Sequence, residues 1–166
     1  MGFIFYGYTF SYTTMNNYER SNSIKSIDFS VSARAKRLTQ KMLASQNYAE
    51  RQSLSNFLAN ELSYNAGVER ITIEITNTHQ WYKKRGSRVA VRRYGSYYPK
   101  TKRISIQNRT AIRGKELAPK TFLDTLLHEW MHHYDFQKLR LNSIHTKGFY
   151  ERIRSLKDRL RVDLEA

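Results

Sequence analysis

A strongly apolar segment near the carboxyl end of the chain contains three polar residues at helical spacing. His128, Glu129 and His132 lie within a run that otherwise supplies the apolar side chains of a helix beginning at Pro119. These apolar neighbours are Phe122, Leu123, Leu126, Leu127, Trp130 and Met131. Burying polar groups among them costs free energy unless the groups are paired or bind a ligand. The segment therefore predicts a buried helix that carries a functional site.

The polar residues form the motif His128-Glu-x-x-His132, an HExxH sequence. Residues four apart on a helix lie one turn apart on the same face, so both imidazoles can bind one metal ion. Zinc lowers the pKa of a bound water, so that a hydroxide nucleophile is available at neutral pH. Glu129 lies beside the two histidines and can accept the proton of that water. The alternative is that His128 and His132 are hydrogen-bonded core residues. We expect one catalytic Zn²⁺, with Glu129 as the general base.

A catalytic zinc site needs a third protein ligand and keeps a fourth position open. The metzincin pattern would place glycine at position 135 and histidine at position 138, but Asp135 and Lys138 occupy them. We expect His145 to be the third ligand, because it follows a short connection and starts the next helix, from which it can fold back over the metal. Glu151, on that same helix, is the alternative.

Several other residues are candidates for supporting roles. Asp135 lies seven residues after His128 on nearly the same face, so it either orients a ligand imidazole or is an ordinary surface or capping residue. Asp124, one turn before His128, has the same two interpretations. His133 points away from the metal face and is expected to be a packing or surface residue. Candidate donors to a developing oxyanion are Tyr97, Tyr98, Tyr134, Tyr150 and His79.

The remainder of the chain predicts a mixture of helices and strands. Apolar residues at helical spacing within 32–67 indicate one long helix or two short ones, ended by the glycine at position 67. Strict alternation of isoleucine with polar residues in 71–76 predicts a half-buried strand. Thr121 and Asp124 are placed like a capping box at the start of the HExxH helix. A last helix is expected from the third candidate histidine to about residue 162.

Two further strands are predicted around Val89–Val91 and Ile104–Ile106. The turn-forming stretch Gly95–Lys100 lies between them, so we expect a hairpin. The predicted fold class is α+β, with a small, mostly antiparallel three-stranded sheet packed on helices. Residues 1–30 show no helical period and are expected to be a loosely packed amino-terminal arm, with the catalytic domain spanning 31–166.

Length and composition exclude several classes of protein. The 166 residues suffice for one domain with its own core, and none of them is cysteine. A disulfide scaffold, an iron–sulfur cluster, a Cys-type zinc finger and a Cys nucleophile are therefore excluded. No stretch approaches the roughly 18 apolar residues of a membrane helix, and the amino end lacks the features of a signal peptide. We expect a soluble cytoplasmic protein with no membrane partner.

The chain is strongly basic, since 29 Lys and Arg against 14 Asp and Glu give a net charge of +15. Many of these basic residues lie in the central third, next to aromatic residues such as Trp81 and Tyr82. Basic clusters with aromatic platforms are typical of single-stranded nucleic acid binding, although charge runs are commonly only a solvated face. They can also steer acidic polypeptides. The candidate nucleic-acid contacts are Lys83, Lys84, Arg85, Arg92, Arg93, Lys102 and Arg103.

The HExxH motif, the short connection and the sequence His145-x-x-Gly148-Phe149 together resemble the SprT-like zinc metalloprotease domain of Spartan-type proteases. In the family pattern the glycine directly follows the third histidine, whereas here it lies three residues after it. The resemblance covers about residues 35–160 and implies a zincin-like fold. It also implies His128, His132 and His145 as zinc ligands and Glu129 as general base.

These observations predict a zinc-dependent metallopeptidase that hydrolyses peptide bonds in polypeptide substrates, including proteins associated with nucleic acid. An edge strand of the sheet is expected to hold the substrate backbone by strand addition. The alternative is a zinc-binding nucleic-acid-binding or regulatory protein without general proteolytic activity. A fourth protein ligand that closes the metal site would distinguish a structural zinc from a catalytic one.

Overall fold

The computed structural model describes residues 15–163, which form five helices and five strands. The helices are α1 (Asn17–Ser23), α2 (Ala33–Leu43), α3 (Tyr48–Ala66), α4 (Pro119–Gln137) and α5 (Lys147–Leu160). The strands are β1 (Thr72–His79), β2 (Trp81–Arg85), β3 (Arg88–Arg93), β4 (Gly95–Tyr98) and β5 (Arg103–Arg109). The predicted α+β class is confirmed. None of the helices within 15–163 has the length and apolar character needed to cross a membrane.

The central sheet has three strands in the order β1-β5-β4. β5 runs parallel to β1 and antiparallel to β4, so the sheet is mixed, and the prediction of a mostly antiparallel sheet is wrong. The path of the chain explains the difference. After β1 the chain forms the separate hairpin β2–β3 and then enters β4 at the opposite edge, running against β1. β5 turns back between these two strands and therefore runs parallel to the first.

The predicted hairpin between the strands at Val89–Val91 and Ile104–Ile106 is also wrong. β3 pairs with β2 through a tight turn in which Gly86 has a φ of 63°, a left-handed conformation that favours glycine. Gly95–Tyr98, expected to be part of a turn, is instead the strand that pairs with β5. Its aromatic residues favour an extended conformation, and the turn is confined to the four residues that follow.

The two edges of the central sheet have different neighbours. Along β1, three amide side chains of α3 reach the backbone: Asn60 both donates to and accepts from Ile71, at 3.0 Å each way. Asn56 makes the same pair of contacts with Ile73, and Gln52 accepts from the Ile75 N–H at 3.0 Å. These side chains occupy the backbone groups that an added strand would use. β4 forms the other edge, beside the cleft described below.

The helical predictions for 32–67 are confirmed as two helices. α2 and α3 are separated because Asn47 caps the second helix, accepting from the Glu50 N–H at 3.0 Å. α3 ends at Gly67, whose φ is 67°. The predicted capping box at Thr121 and Asp124 is wrong: α4 starts at Pro119 with Ala118 as N-cap and no side-chain cap. Proline at the first helical position fixes φ and needs no N–H partner, so the helix begins before the threonine.

Residues 15–30 are not a loosely packed arm. Asn16 and Glu19 form a capping box that starts α1. After this helix, Ile27 and Phe29 are buried in the core, where the Phe29 ring lies 5.9 Å from that of Trp130 on α4. A helix of seven residues is too short to show a clear period in the sequence, which is why it was not predicted. The part of the predicted arm within residues 1–14 lies outside the described residues.

Candidate metal centre

The three histidines predicted as ligands converge on one point. The Nε2 atom of His145 lies 3.1 Å from that of His128 and 3.0 Å from that of His132. One potential ligand atom from each residue lies within 4.8 Å of the other two, which suits binding to a single ion. His128 and His132 are one turn apart on α4, as predicted. His145 comes from the connection to α5, directly before the N-cap residue of that helix.

The donor set fits a divalent metal ion. Burial, together with the neighbouring imidazoles, lowers the pKa of His128 to about 4 and that of His132 to about 3. Both imidazoles are therefore neutral at pH 7, with a lone pair available on each ring, and neutral imidazole nitrogen is a preferred zinc ligand. The three Nε2 atoms are close enough for one cation placed between them to contact all three rings. Phe149 packs against the rings, 4.6 Å from that of His132.

Glu151, the alternative third ligand, does not belong to this group. The cluster of potential ligands found in residues 15–163 consists of the three histidines. The carboxylate of Glu151 instead lies 4.0 Å from the ammonium group of Lys147, one turn earlier on α5. Within residues 15–163, no fourth histidine or carboxylate thus joins the three histidines.

Glu129 is buried next to the histidine cluster, with 8% of its surface exposed. Burial raises the pKa of its carboxyl group to about 7, although the Arg93 guanidinium and the Tyr97 backbone N–H act in the opposite direction. Gly95 on β4 makes room for it, because a Cβ atom there would lie 2.9 Å from Glu129 Cγ. A carboxyl group with a pKa near neutrality can both accept and release a proton at physiological pH.

A cleft of about 760 Å³ opens in front of these groups. One wall is the edge strand β4, through Gly95, Ser96 and Tyr97, and the other is α4. The hairpin β2–β3 contributes Trp81 and Arg93 to the rim. The cleft is therefore long enough to expose a strand edge and the histidine cluster to the same ligand.

Asp135 supports the cluster, but not by a direct contact with an imidazole. His132 Nδ1 lies 2.7 Å from Ser143 Oγ, and the Ser143 hydroxyl donates to Asp135 Oδ2 at 3.1 Å. Asp135 is completely buried and pairs with Arg152, whose Nε and Nη2 donate to its two oxygens at 2.9 and 2.7 Å. Burial raises the pKa of the Asp135 carboxyl, and Arg152 and Ser143 oppose that shift. The surface interpretation of Asp135 is wrong.

Ser143 and Arg152 are the residues that sequence reasoning missed. Arg152 carried a usable signal, because it lies on the buried face of α5 between Phe149 and Leu156. A charged residue on an apolar helical face requires a buried partner. The sequence around Ser143 contained no comparable signal. Asp124, the second candidate carboxylate, instead pairs with Lys157 at 2.8 Å on the rim.

His133 is a packing residue, as expected. It is fully buried, and its Nε2 lies 2.8 Å from the carbonyl oxygen of Glu69. Its Nδ1 lies 3.0 Å from the hydroxyl of Tyr97. A carbonyl only accepts, so Nε2 carries the proton and Nδ1 accepts from the tyrosine. Burial lowers the pKa of His133, which keeps this bridge between α4, β4 and the loop before β1 neutral.

Among the tyrosines predicted as candidate oxyanion donors, Tyr150 lies beside the cluster. Its half-exposed ring is 6.0 Å from that of His145 and 6.3 Å from that of His128. The hydroxyl of Tyr97 is bound to His133, and that of Tyr134 donates to Asp28 Oδ1 at 2.7 Å.

The other two candidate donors have different neighbours. The Arg103 guanidinium lies 4.6 Å from the ring centre of Tyr98. His79 Nδ1 lies 3.3 Å from the carbonyl oxygen of Ala111, on the segment after β5. Of the five candidates, Tyr150 is thus the one whose ring lies next to the His128 and His145 rings.

The predicted basic contacts divide into two groups. Lys83, Lys84 and Arg85 are exposed on β2, and Arg93 lies over the Trp81 ring, 5.6 Å from its centre, at the rim of the cleft. The other two contacts with described side chains are ion-paired near β1, Lys102 with Glu69 and Arg103 with Glu74. The side chain of Arg92 lies outside the described part of the structure.

No protein family model, curated protein or solved structure matches this chain.

Proposed function

We propose that this protein is a zinc-dependent metallopeptidase that hydrolyses peptide bonds in polypeptides held along β4. The observation that carries the proposal is the convergence of three imidazole nitrogens, 3.0 and 3.1 Å apart, beside a buried carboxyl group in an open cleft. His128, His132 and His145 would hold the ion, and Glu129 would act as the general base. The resemblance of the two histidine motifs to SprT-like metalloproteases supports the same assignment.

The chemistry divides between the ion and the side chains. A divalent ion bound by the three imidazoles supplies Lewis acidity, which polarises a carbonyl and acidifies water. Glu129 accepts the proton of the attacking water and transfers it to the leaving amine. Its pKa of about 7 suits both transfers near neutral pH. The hydroxyl of Tyr150 is the donor that we assign to the developing oxyanion.

The polypeptide substrate would bind as an added strand at β4. This strand is short and lines the cleft through three of its four residues, next to Glu129. Main-chain hydrogen bonds of this kind bind an extended chain without selecting its sequence, and neighbouring pockets provide selectivity. The aromatic ring of Trp81 and the guanidinium of Arg93 at the rim favour substrates with apolar or acidic side chains there.

Single-stranded nucleic acid is the second partner that we propose, at the hairpin β2–β3. Its exposed Lys83, Lys84 and Arg85 offer phosphate contacts, and the Trp81 ring offers a stacking surface. Because the same hairpin borders the cleft, nucleic acid bound there would bring associated proteins to the site. Lys102 and Arg103 contribute less to such a contact, since carboxylates already pair with them.

The deciding experiment is cleavage of an unfolded model protein by the zinc-loaded chain, with and without single-stranded DNA. We expect cleavage by the wild type, and a loss of about 100-fold or more in Glu129→Gln with zinc still bound. Glu116→Gln, at an exposed position, is the matched control and should cleave normally. Cleavage retained in Glu129→Gln would refute the assigned base. Bound zinc with no cleavage in either condition would favour the regulatory or nucleic-acid-binding alternative.

A further inference from the structure

A continuous chain of polar contacts runs from the metal centre to the amino-terminal helix. It passes from His132 through Ser143 and Asp135 to Arg152, with successive contacts of 2.7, 3.1 and 2.7 Å. Asp135 and Arg152 are fully buried, whereas Ser143 is half-buried at the edge of the cleft. A buried ion pair is costly to maintain and contributes little net stability, so its connection to a ligand needs an explanation.

The proton inventory of this chain determines the tautomer of His132. The Ser143 hydroxyl has one proton, which it donates to the Asp135 carboxylate, an acceptor when ionised. Its oxygen can then only accept from His132, so the imidazole proton lies on Nδ1. The lone pair consequently lies on Nε2, the atom that faces His145 at 3.0 Å. Without this acceptor, a neutral histidine can place its proton on either nitrogen.

Arg152 keeps Asp135 in place, and α1 keeps Arg152 in place. The guanidinium has five N–H donors, and five contacts are formed. Two go to Asp135, at 2.9 and 2.7 Å. The other three go to the end of α1 and the residue after it: the Ser21 carbonyl at 2.7 Å, the Ile24 carbonyl at 2.6 Å and the Ser21 hydroxyl at 3.2 Å. The same Ser21 hydroxyl lies 2.7 Å from that of Thr146, the residue after His145.

We propose that Ser143, supported by Asp135 and Arg152, is a positioning residue that holds His132 as the Nδ1–H tautomer and so presents Nε2 to the metal. In its absence, part of the His132 population carries the proton on Nε2, and binding an ion requires that proton to move first. Partners of this kind typically change metal affinity by about 10- to 100-fold. The inference rests on the metal centre of the proposed function but not on the reaction that the centre performs.

Ser143→Ala tests the proposal without removing a buried charge, since Ser143 is half-buried. The first readout is zinc affinity, measured by competition with a chromophoric chelator. The second is the tautomer of His132 in the metal-free protein, measured by long-range ¹H–¹⁵N correlation of the imidazole. Ser143→Thr keeps the hydroxyl and serves as the rescue variant. Ser23→Ala removes an exposed hydroxyl bound only to the Arg20 carbonyl and is the matched control.

We expect Ser143→Ala to lose about 10-fold or more in zinc affinity and to populate the Nε2–H tautomer of His132. Ser143→Thr and Ser23→Ala should stay within about threefold of the wild type. An unchanged affinity in Ser143→Ala, or a reduced affinity with His132 still in the Nδ1–H form, would overturn the proposal. Failure of the wild type itself to bind zinc would refute both this proposal and the proposed function. Zinc binding without proteolysis would refute the proposed function alone.

Discussion

The burial of Glu129 should make the metal-free protein less stable as the pH rises, and the substitution Glu129→Gln should remove this dependence. Burial raises the pKa of this carboxyl from an ordinary 4.5 to about 7, so the folded state holds the proton more tightly than the unfolded state. Below the lower value the group is protonated in both states and imposes no cost. Above the higher value it is ionised in both, and the folded state contains a buried charge. The folded state therefore loses stability progressively as the pH rises through this interval.

The expected magnitude follows from the same two values. At about 1.4 kcal/mol per pH unit, the interval from 4.5 to about 7 corresponds to about 3 kcal/mol. Glu129→Gln keeps the shape of the side chain but cannot ionise. Without metal, the variant should be more stable than the wild type by about 3 kcal/mol near pH 8 and nearly equal to it near pH 4.

Urea unfolding of the chelator-treated proteins at the two pH values measures this difference directly. The pH effects of all other groups cancel between the wild type and the variant. Asp158→Asn, at an exposed position, is the control and should change the free energy of unfolding by no more than about 0.5 kcal/mol at either pH. A stability difference for Glu129→Gln that is the same at both pH values would refute the assigned burial, and so would a variant less stable than the wild type near pH 8.

Three further predictions concern close contacts and the metal. In Gly148→Ala the new Cβ would overlap the Ser21 carbonyl oxygen, so α1 should be displaced at a cost of about 1–3 kcal/mol. Unchanged hydrogen exchange in α1 would contradict this. Gly95→Ala should press on Glu129 Cγ, 2.9 Å away, and lower kcat without changing zinc affinity, which a chelator titration checks. Zinc at about 1,000 times its Kd should stabilise the protein by about 4 kcal/mol in thermal unfolding, and His145→Ala should abolish most of this gain.

The parts of the site that lie within one helix could be predicted from the sequence. His128 and His132 share a face because a helix places residues four apart one turn apart, whatever the rest of the chain does. Glu129 was assigned by the same rule. His145 was harder, because its position depends on how the connection to α5 folds back, but the small number of histidines in the chain left few choices.

The parts that depend on contacts between distant segments could not be predicted. Ser143 becomes significant only when the connection before α5 passes close to His132, and Arg152 only when α1 caps its guanidinium. The pairing of β5 with β1 has the same origin, since alternation of polar and apolar residues identifies strands but not their partners. The local sequence signal for the β2–β3 hairpin is Gly86, whose positive φ forms the turn between the two strands.

The two edges of the central sheet explain why an extended substrate would bind on the metal side. Gln52, Asn56 and Asn60 follow one another at intervals of four on α3, so their amides form a row along β1. Each amide both donates to and accepts from the strand backbone, as a neighbouring strand would, and so occupies backbone groups of Ile71, Ile73 and Ile75 on that edge. β4 has a strand partner on one side only and faces the cleft on the other. Of the two edges, β4 is the one that lines the cleft, so a polypeptide added there would run beside Glu129 and the three imidazoles.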